Sequence, residues 1–267
     1  MRTRSYTAAM TAEPSRDFIQ SLQRGLSVIA SFSRERPDQT LSEVAQETGL
    51  TRATARRALL TLVALGYATQ NGRTYSLTPK VLDLAYSFLS SFRVVDLAQP
   101  SMERLVEQIK ESSSMAVLDG PDVVYVARVP TKRIMTISLA LGSRLPAYCT
   151  SLGRVLLAAL PEAQLDEYLS TIRLEPLTKH TITDVAAWRR EINRVRQQGY
   201  ALVNQELEEG VRSIAAPVTA GDTVIAAMNV SCHVSRVTVT KMRQEYLPPL
   251  LEAAAITSER VSALKIR

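Results

Sequence analysis

The sequence lacks the features that mark several other classes of protein. It has only two cysteines and two histidines in 267 residues. No stretch approaches the ~18 continuous apolar residues of a membrane helix. No apolar core follows Arg2 and Arg4, so a signal peptide is not expected. With 46% hydrophobic residues, the chain can form about two domains with real cores. We expect a soluble cytoplasmic protein that makes no membrane contact.

Signatures of catalysis and of metal binding are also scarce. The sequence contains no Gly-rich phosphate loop, His-Glu-x-x-His or Gly-x-Ser-x-Gly motif. Cys149 could serve as a nucleophile with His180 or His233, although no local catalytic signature surrounds it. Cys232 and His233 are adjacent on a predicted strand and would point to opposite faces, so they are poor co-ligands for zinc. We expect free thiols, no metal, no cofactor and no enzyme. A cysteine-dependent hydrolase is the alternative.

Two short helices between residues 41 and 65 predict a helix-turn-helix. Thr40 and Glu43 have the spacing of a capping box, and Gly49 can supply the left-handed residue that ends the first helix. The second helix begins at Thr51. Its predicted buried stripe is Ala55, Ala58, Leu59, Leu62 and Leu65. Polar side chains off this stripe can reach DNA. The predicted DNA-binding residues of this recognition helix are Thr51, Arg52, Thr54, Arg56, Arg57 and Thr61.

A hairpin follows the second helix and predicts a wing. Asn71-Gly72 is typical of a type I′ turn, in which both central residues have positive φ. The turn is expected to close Gln70 against Arg73. Arg73 would therefore lie beside the tip of the wing, and we add it to the DNA-binding residues.

The basic charge is concentrated at the N-terminal end. Residues 1–80 contain eleven Arg or Lys against six Asp or Glu, a net of +5, whereas the remainder has 21 against 20, a net of +1. No acidic residue lies between Glu47 and Asp83, although five basic residues do. A solvated basic face without a partner is the alternative interpretation. Combined with the capped helix pair and the wing, the charge favours a surface that meets DNA phosphates.

The rest of the chain predicts a second domain of mixed structure. Thr78-Pro79 is typical of a helix start, and Pro100 is expected to kink or break a helix over 94–110. Short β-rich runs then alternate with helices, which favours an α+β protein with a largely antiparallel sheet. The predicted strands are 114–118, 122–129, 134–139, 200–205, 213–219 and 224–231. The predicted helices are 150–159, 161–170, 184–198 and 240–264, the last disturbed at Pro248-Pro249. The predicted segments are a disordered lead-in (1–16), a DNA-binding domain (17–78), a linker helix (79–93) and a second domain (94–267).

Motifs in both halves resemble the IclR-type transcriptional regulators. LSEVAQETGL (41–50) and LLTLVALGY (59–67) are similar to that family's winged helix-turn-helix, and the runs at 141–158 and 199–218 are similar to its effector-domain motifs. LPAYCTSLGR (145–154) looks most like the PcaR, PcaU and PobR branch, which senses acids of the β-ketoadipate route for aromatic breakdown. The resemblance implies a C-terminal GAF-like α/β effector domain.

The resemblance also implies a function and partners. It predicts a regulator of aromatic acid catabolism that senses a small carboxylate such as β-ketoadipate or protocatechuate. The expected macromolecular partners are double-stranded operator DNA and a second copy of the chain, because one recognition helix reads only a few base pairs. Members of the family also form dimers of dimers, so a tetramer is a further expectation.

The effector site implied by the resemblance combines a helix start with polar strand positions. The matching helix start contains Ser151 and Leu152, where unpaired N–H groups and the positive end of the helix dipole can bind a carboxylate. The matching strand residues are Ser213, Asn229 and Ser231, the last two of which point to one face. In the strand before the Glu208-Glu209-Gly210 turn, where the family often has an acidic residue, this chain has Val203-Asn204.

Other side chains could complete an acid-binding pocket. Arginine pairs with a carboxylate through two parallel hydrogen bonds. Arg128, Arg133 and Arg144 are therefore candidates, with Arg144 ranked first because it lies in the branch-like motif. Tyr148 and Tyr125 could wall the pocket. Structural roles remain the alternative for all five residues.

Overall fold

The computed structural model describes residues 17–33, 35–131 and 139–264, and the side chains of residues 89–91 are not described. The chain divides into two compact units, Met1–Ser91 and Phe92–Arg267. The predicted lead-in (1–16) and residues 134–138 of one predicted strand fall outside the described residues. Each unit is presented by itself below.

The N-terminal unit is a winged helix-turn-helix. Its elements in chain order are α1 (Gln20–Ala30), β1 (Asp38–Thr40), α2 (Leu41–Thr48), α3 (Arg52–Ala64), β2 (Ala68–Asn71), β3 (Thr74–Leu77), a 3-10 turn (Pro79–Val81) and α4 (Leu82–Ser91). The three strands form an antiparallel sheet in the order β1-β3-β2. Val28, Val44, Ala55 and Leu59 are fully buried between the helices and the sheet. The core therefore fixes α3 against α1 and α2.

The predicted helix caps are confirmed. Thr40 Oγ1 accepts a hydrogen bond from Glu43 N, while Glu43 Oε2 accepts one from Thr40 N at 2.7 Å. Gly49 ends α2 with φ +65°, and Thr51 caps α3. The short turn between α2 and α3 is thus determined by two local signals, Gly49 and Thr51, and it orients α3.

The register of the wing differs from the prediction by one residue. Asn71 pairs with Thr74 and Gln70 with Tyr75, so the central residues of the turn are Gly72 and Arg73. Only Gly72 has a positive φ there, +59°, as in type II′ turns, which have glycine at the first central position. The predicted Asn-Gly type I′ turn is wrong. Arg73 lies at the tip of the wing itself.

Among the described residues, the C-terminal unit forms a six-stranded antiparallel sheet with helices on both faces. Its strands have the order β6-β5-β4-β9-β8-β7. They are β4 (Ser112–Asp119), β5 (Asp122–Val129), β6 (Arg144–Pro146), β7 (Ala201–Asn204), β8 (Val211–Ala220) and β9 (Thr223–His233). The helices are α5 (Val94–Ile109), α6 (Ser151–Ala158), α7 (Glu162–Thr171), α8 (Val185–Gln198), α9 (Val239–Lys241) and α10 (Leu247–Ala263). A 3-10 turn (Ala147–Cys149) precedes α6.

Alternation along the strands separates two hydrophobic cores. Met115, Met228 and Val230 face a core built with α5 and α10. Ala116 and Ala227 face the core built with α6 and α8, which includes the fully buried Trp188. The second face carries the candidate effector site, because its polar strand residues lie beneath the start of α6.

The prolines act differently in the two long helices. The helix α5 runs through Pro100 without a break, so the break that was one of the two predicted outcomes is wrong. Before Pro248 and Pro249 the chain forms a π-type turn, Met242–Tyr246, between α9 and α10. Because proline has no N–H to donate into the helix, a locally wider turn accommodates the pair. The disturbance predicted there is confirmed.

Candidate functional site

The exposed face of α3 is basic and free of acidic partners. Arg52, Arg56 and Arg57 are exposed. Within the described ranges, none of these three guanidinium groups forms an ion pair. Leu65 is 54% exposed, so its predicted place in the buried stripe is wrong, whereas Ala55, Leu59 and Leu62 are buried. The arginines are therefore presented to solvent rather than buried or neutralised.

The threonines of α3 are already engaged within the helix. Thr51 Oγ1 accepts from Thr54 N and lies 3.0 Å from Thr54 Oγ1. Thr61 Oγ1 donates to Arg57 O at 2.8 Å. Because these hydroxyls have local partners, the arginines are the stronger candidates for contact with DNA.

Lys80 has a structural partner that the sequence did not reveal. Its Nζ donates to Leu65 O at 2.9 Å and lies 5.0 Å from the centre of the Tyr67 ring. Thr78 Oγ1 also donates to Gly66 O at 2.5 Å. A cation at the C-terminal end of α3 is favourable to the helix dipole, so these contacts attach the turn before α4 to the recognition helix. Lys80 stabilises this junction.

A cavity in the C-terminal unit lies between one sheet face and the start of α6. Its empty space is about 580 Å³, a figure that includes space open to solvent. Its polar lining includes Ser112, Ser114, Arg128, Thr150, Ser151, Ser213, Asn229 and Ser231, and its other walls include Tyr125, Leu139, Leu145, Cys149 and Leu207. The cavity therefore combines hydrogen-bonding groups with apolar walls.

Strand register explains why the polar residues meet. Ser231 on β9 pairs with Ser112 on β4 and with Ser213 on β8, which gives one row of serines across the sheet. Asn229 lies in the next row, opposite Ser114. Its Oδ1 accepts from Ser114 N at 3.1 Å, and its Nδ2 donates to Ser231 Oγ at 3.1 Å. The amide of Asn229 is therefore held in one orientation.

The start of α6 provides a second group of donors. Thr150 caps the helix through a hydrogen bond from Gly153 N to its Oγ1, 3.1 Å long. Ser151 is 1% exposed, and its hydroxyl has no partner among the described residues. Since a buried polar group without a hydrogen bond is costly, this hydroxyl is suited to bind a ligand in the cavity.

Burial also changes the ionisation of two groups at the cavity. It lowers the pKa of Arg128, since the charged guanidinium loses contact with water. Burial raises the pKa of Cys149 to about 12, which keeps the thiol neutral. Cys149 Sγ donates to Pro146 O, whereas His233 Nδ1 lies next to Ser235 Oγ. Within the described part of the chain, no hydrogen bond joins Cys149 to His180 or His233.

Several predicted effector residues lie elsewhere. Arg144, ranked first, donates to Asp119 at 2.6 Å and to Asp122 at 3.2 Å across strand ends, and it does not line the cavity. Tyr148 donates to Glu175 O, and Leu152 is buried in the core. Arg133 falls outside the described residues. The structure thus groups Ser151, Ser213, Asn229, Ser231 and Arg128, and leaves Arg144, Tyr148 and Leu152 out.

Other polar groups were missed. Ser112 and Ser114 line the cavity, and the serines at 112–114 form an unusual polar run within a buried strand that could have revealed them. Arg154 was also missed: it is 1% exposed and pairs with Glu206. No helix among the described residues is long and apolar enough to cross a membrane. The described residues also contain no cluster of three or more potential metal-ligating side chains.

Comparisons with known proteins match both halves of the chain. Residues 21–72 match the IclR helix-turn-helix domain, and residues 86–259 match the family described as bacterial transcriptional regulator IclR C-terminal. The Pca regulon regulatory protein of Pseudomonas putida is 46% identical over 248 residues, which cover 92% of this chain and 84% of that protein.

Two solved structures have the same architecture. A putative transcriptional regulator from Rhodococcus sp. RHA1 is 46% identical, with a TM-score of 0.83 over 92% of this chain and 100% of that one. An IclR homolog from Microbacterium hydrocarbonoxydans, complexed with 4-hydroxybenzoate, is 26% identical, with a TM-score of 0.81 over 91% and 99%. These similar proteins are named as regulators and not as enzymes, which removes the support for a cysteine-dependent hydrolase.

Proposed function

We propose, from the premise that this chain belongs to the IclR family of bacterial transcriptional regulators, that it controls genes of aromatic acid catabolism in response to a small organic acid. In this proposal α3 and the tip of the wing bind operator DNA, and the cavity beneath α6 binds the acid. Operator DNA lies in the cytoplasm, so the proposal places the protein there. The candidate effectors are β-ketoadipate and protocatechuate.

The single observation that carries this proposal is the unpartnered hydroxyl of Ser151 at the start of a helix that faces the cavity. The first N–H groups of a helix and its positive dipole end favour an anion. Ser213 and the fixed amide of Asn229 add donors on the opposite wall. These features suit a carboxylate joined to a small apolar body, which describes an aromatic acid or a short aliphatic one.

The named relatives support the pathway. The Pseudomonas putida relative is a regulator of the Pca regulon, and the structural neighbour from Microbacterium hydrocarbonoxydans binds 4-hydroxybenzoate. We transfer to this chain the general class of effector, a small acid, rather than one compound.

We further propose that the protein acts as a homodimer, or as a dimer of dimers. Both α1 and α4 expose large apolar side chains: Leu22 and Leu26 on α1, and Leu82 and Tyr86 on α4, are each at least 50% exposed. A symmetric partner could cover these faces and pair two recognition helices on one operator. Sedimentation of the full chain tests this, because Leu22→Glu with Tyr86→Glu should yield monomers, whereas a wild-type monomer would contradict the proposal.

A ligand screen on the full-length protein tests the effector function. An acid at 100 times its Kd stabilises the folded state by about 2.7 kcal/mol, so β-ketoadipate, protocatechuate or 4-hydroxybenzoate should raise the melting temperature. The rise should disappear in Ser231→Ala while the ligand-free melting temperature stays close to that of the wild type. It should also disappear in Asn229→Ala, whose ligand-free melting temperature should be lower because Ser114 N loses its acceptor. If no acid raises the melting temperature of the wild type, the proposed function is wrong.

A further inference from the structure

A β-bulge directs a positive charge into the cavity. Along β4 and β5, Met115 pairs with Ala127 but Ala116 pairs with Tyr125, which leaves Val126 as an extra residue on β5. Side chains three apart on a regular strand point to opposite faces. The bulge removes that difference, so both Tyr125 and Arg128 line the cavity. Without Val126 as an extra residue, Arg128 would point to the other face of the sheet.

Arg128 differs from other arginines of the C-terminal unit because it has no partner among the described residues. Arg144 pairs with Asp119, Arg154 with Glu206, and Arg236 with Glu111. Within the described ranges Arg128 forms neither a hydrogen bond nor an ion pair, although its side chain is only partly exposed. The undescribed residues 132–138 contain no Asp or Glu in their sequence. The charge therefore has no carboxylate partner among the described residues.

Tyr125 lines the same cavity as Arg128, and its hydroxyl is a second polar group on β5. Its side chain is 4% exposed, and its hydroxyl makes no hydrogen bond within the part of the chain that the structure describes. Tyr125 and Arg128 thus offer one neutral donor and one cationic donor group on β5, on a different element from the donors at the start of α6.

These observations separate two places that can bind acid groups. The first, at Ser151, uses neutral donors and the helix dipole. The second, at Tyr125 and Arg128, carries a full positive charge. A ligand with one carboxylate at Ser151 would leave Arg128 partly buried and uncompensated, which is unfavourable. A second carboxylate would accept two parallel hydrogen bonds from the guanidinium.

We propose that Tyr125 and Arg128 form a second acid-binding anchor, so that the effector is a dicarboxylic acid whose two carboxylates bind at Arg128 and at the start of α6. This inference rests on the proposed function of the cavity and specifies its ligand class. Leu139, Leu145 and the neutral thiol of Cys149 suit the short carbon skeleton between the two acid groups. Of the candidate effectors, β-ketoadipate has two carboxylates and protocatechuate has one.

Matched acids test the second anchor. Calorimetric titration of the full-length protein would compare adipate with hexanoate, and terephthalate with benzoate, since each pair differs in one carboxylate. At least one dicarboxylate should bind ten times more tightly, or better, than its matched monoacid. Arg128→Gln should abolish this ratio while leaving the monoacid affinity within about twofold. Arg144→Gln, an arginine outside the cavity, should leave the ratio unchanged.

Two outcomes would overturn the second anchor. The first is equal affinity of the wild type for the two acids within both pairs. The second is an Arg128→Gln variant that weakens the binding of monoacid and dicarboxylate alike, because Arg128 and the start of α6 would then bind the same single carboxylate. If only monoacids bind, the second anchor is wrong but the proposed function stands. If no acid binds, including β-ketoadipate and protocatechuate, both the second anchor and the proposed function are rejected. The ligand-free Arg128→Gln variant should melt no lower than the wild type, since it removes a charge without a protein partner, and a clear fall would also contradict the inference.

Discussion

Arg154 and Glu206 form an ion pair that is almost completely shielded from solvent. Arg154 Nη2 donates to Glu206 Oε2 at 2.5 Å, and the two side chains are 1% and 8% exposed. Arg154 lies in the first turn of α6, while Glu206 precedes Leu207, which lines the cavity. Glu206 Oε2 also accepts from Ile182 N at 3.3 Å. The pair therefore joins two walls of the candidate effector site.

Loss of Arg154 should destabilise the C-terminal unit strongly. Arg154→Met leaves Glu206 buried without its partner, which is expected to cost about 3–5 kcal/mol. The double variant Arg154→Met with Glu206→Gln should recover part of this loss, because no unpaired carboxylate remains. Thermal unfolding of the full chain measures both effects, and a wild-type melting temperature for Arg154→Met would contradict this role.

The same pair predicts a pH dependence. Burial raises the pKa of Glu206 above its ordinary value, and Arg154 only partly opposes this. The Glu206 carboxyl therefore binds a proton more readily in the folded chain than in the unfolded chain. The stability contributed by this protonation is fully present below the pKa of Glu206 in the unfolded chain, and it is lost as the pH rises through the pKa in the folded chain. Without Arg154 the effect should be larger. The melting temperature of Arg154→Met should thus fall further below that of the wild type at pH 8 than at pH 5. If the gap between the two melting temperatures is the same at both pH values, the proposed pH dependence is wrong.

Gly153 permits a backbone contact that no other residue allows. A Cβ atom added at Gly153 would lie 2.1 Å from Ala147 O. Gly153→Ala should therefore force α6 away from the preceding turn, with a loss of at least ~1–3 kcal/mol and weaker effector binding. Gly25→Ala on α1 is the matched control, since a Cβ there meets nothing within 4 Å and should stabilise the helix by roughly 0.5–1 kcal/mol. Equal melting temperatures for the two variants would disprove the close packing.

The buried cysteines should resist alkylation in the folded protein. The pKa of each of Cys149 and Cys232 is raised by burial to about 12, so at pH 8 only about one thiol in ten thousand is a reactive thiolate. Iodoacetamide should therefore modify neither residue until the chain is unfolded in urea. Rapid labelling of Cys149 in the folded protein, detected by mass spectrometry, would contradict the prediction that this thiol is buried and neutral.

The arginines at α3 and the wing should contribute differently to DNA binding. Arg56→Ala and Arg57→Ala should weaken binding to a selected operator, whereas Arg73→Ala should weaken it on all duplexes. Each lost phosphate contact should lower the salt slope by ~0.9. Arg190→Ala, an exposed arginine of the C-terminal unit, is the control. Fluorescence anisotropy at several salt concentrations distinguishes these effects, and unchanged slopes in all three variants would reject the assignment of α3.

Local signals allowed much of the fold to be predicted from sequence. The cap at Thr40 and Glu43, the left-handed Gly49 and the alternating strands act over a few residues, and the structure confirms them. The turn at Gly72 and Arg73 was misplaced, because Asn-Gly and Gly-x turns both suit short hairpins. Strands of three residues, such as β1 and β6, are too short to give a periodic pattern.

The candidate site was harder to predict because it depends on register. The motif favours Arg144 as the acid-binding residue, but its partners Asp119 and Asp122 are 25 and 22 residues away in sequence. Arg128 reaches the cavity only through the extra residue Val126. Neither relationship is visible without the strand pairing.

Binding of the acid should change the affinity of the protein for its operator, and a direct DNA titration measures this coupling. Full-length protein would be titrated onto a labelled operator, selected by the protein itself from random duplexes, with and without the acid that most raises its melting temperature. We expect the operator affinity to change at least tenfold in the wild type and to stay constant in Asn229→Ala, which should still bind DNA. An operator affinity that is the same with and without every stabilising acid would show that acid binding does not control DNA binding.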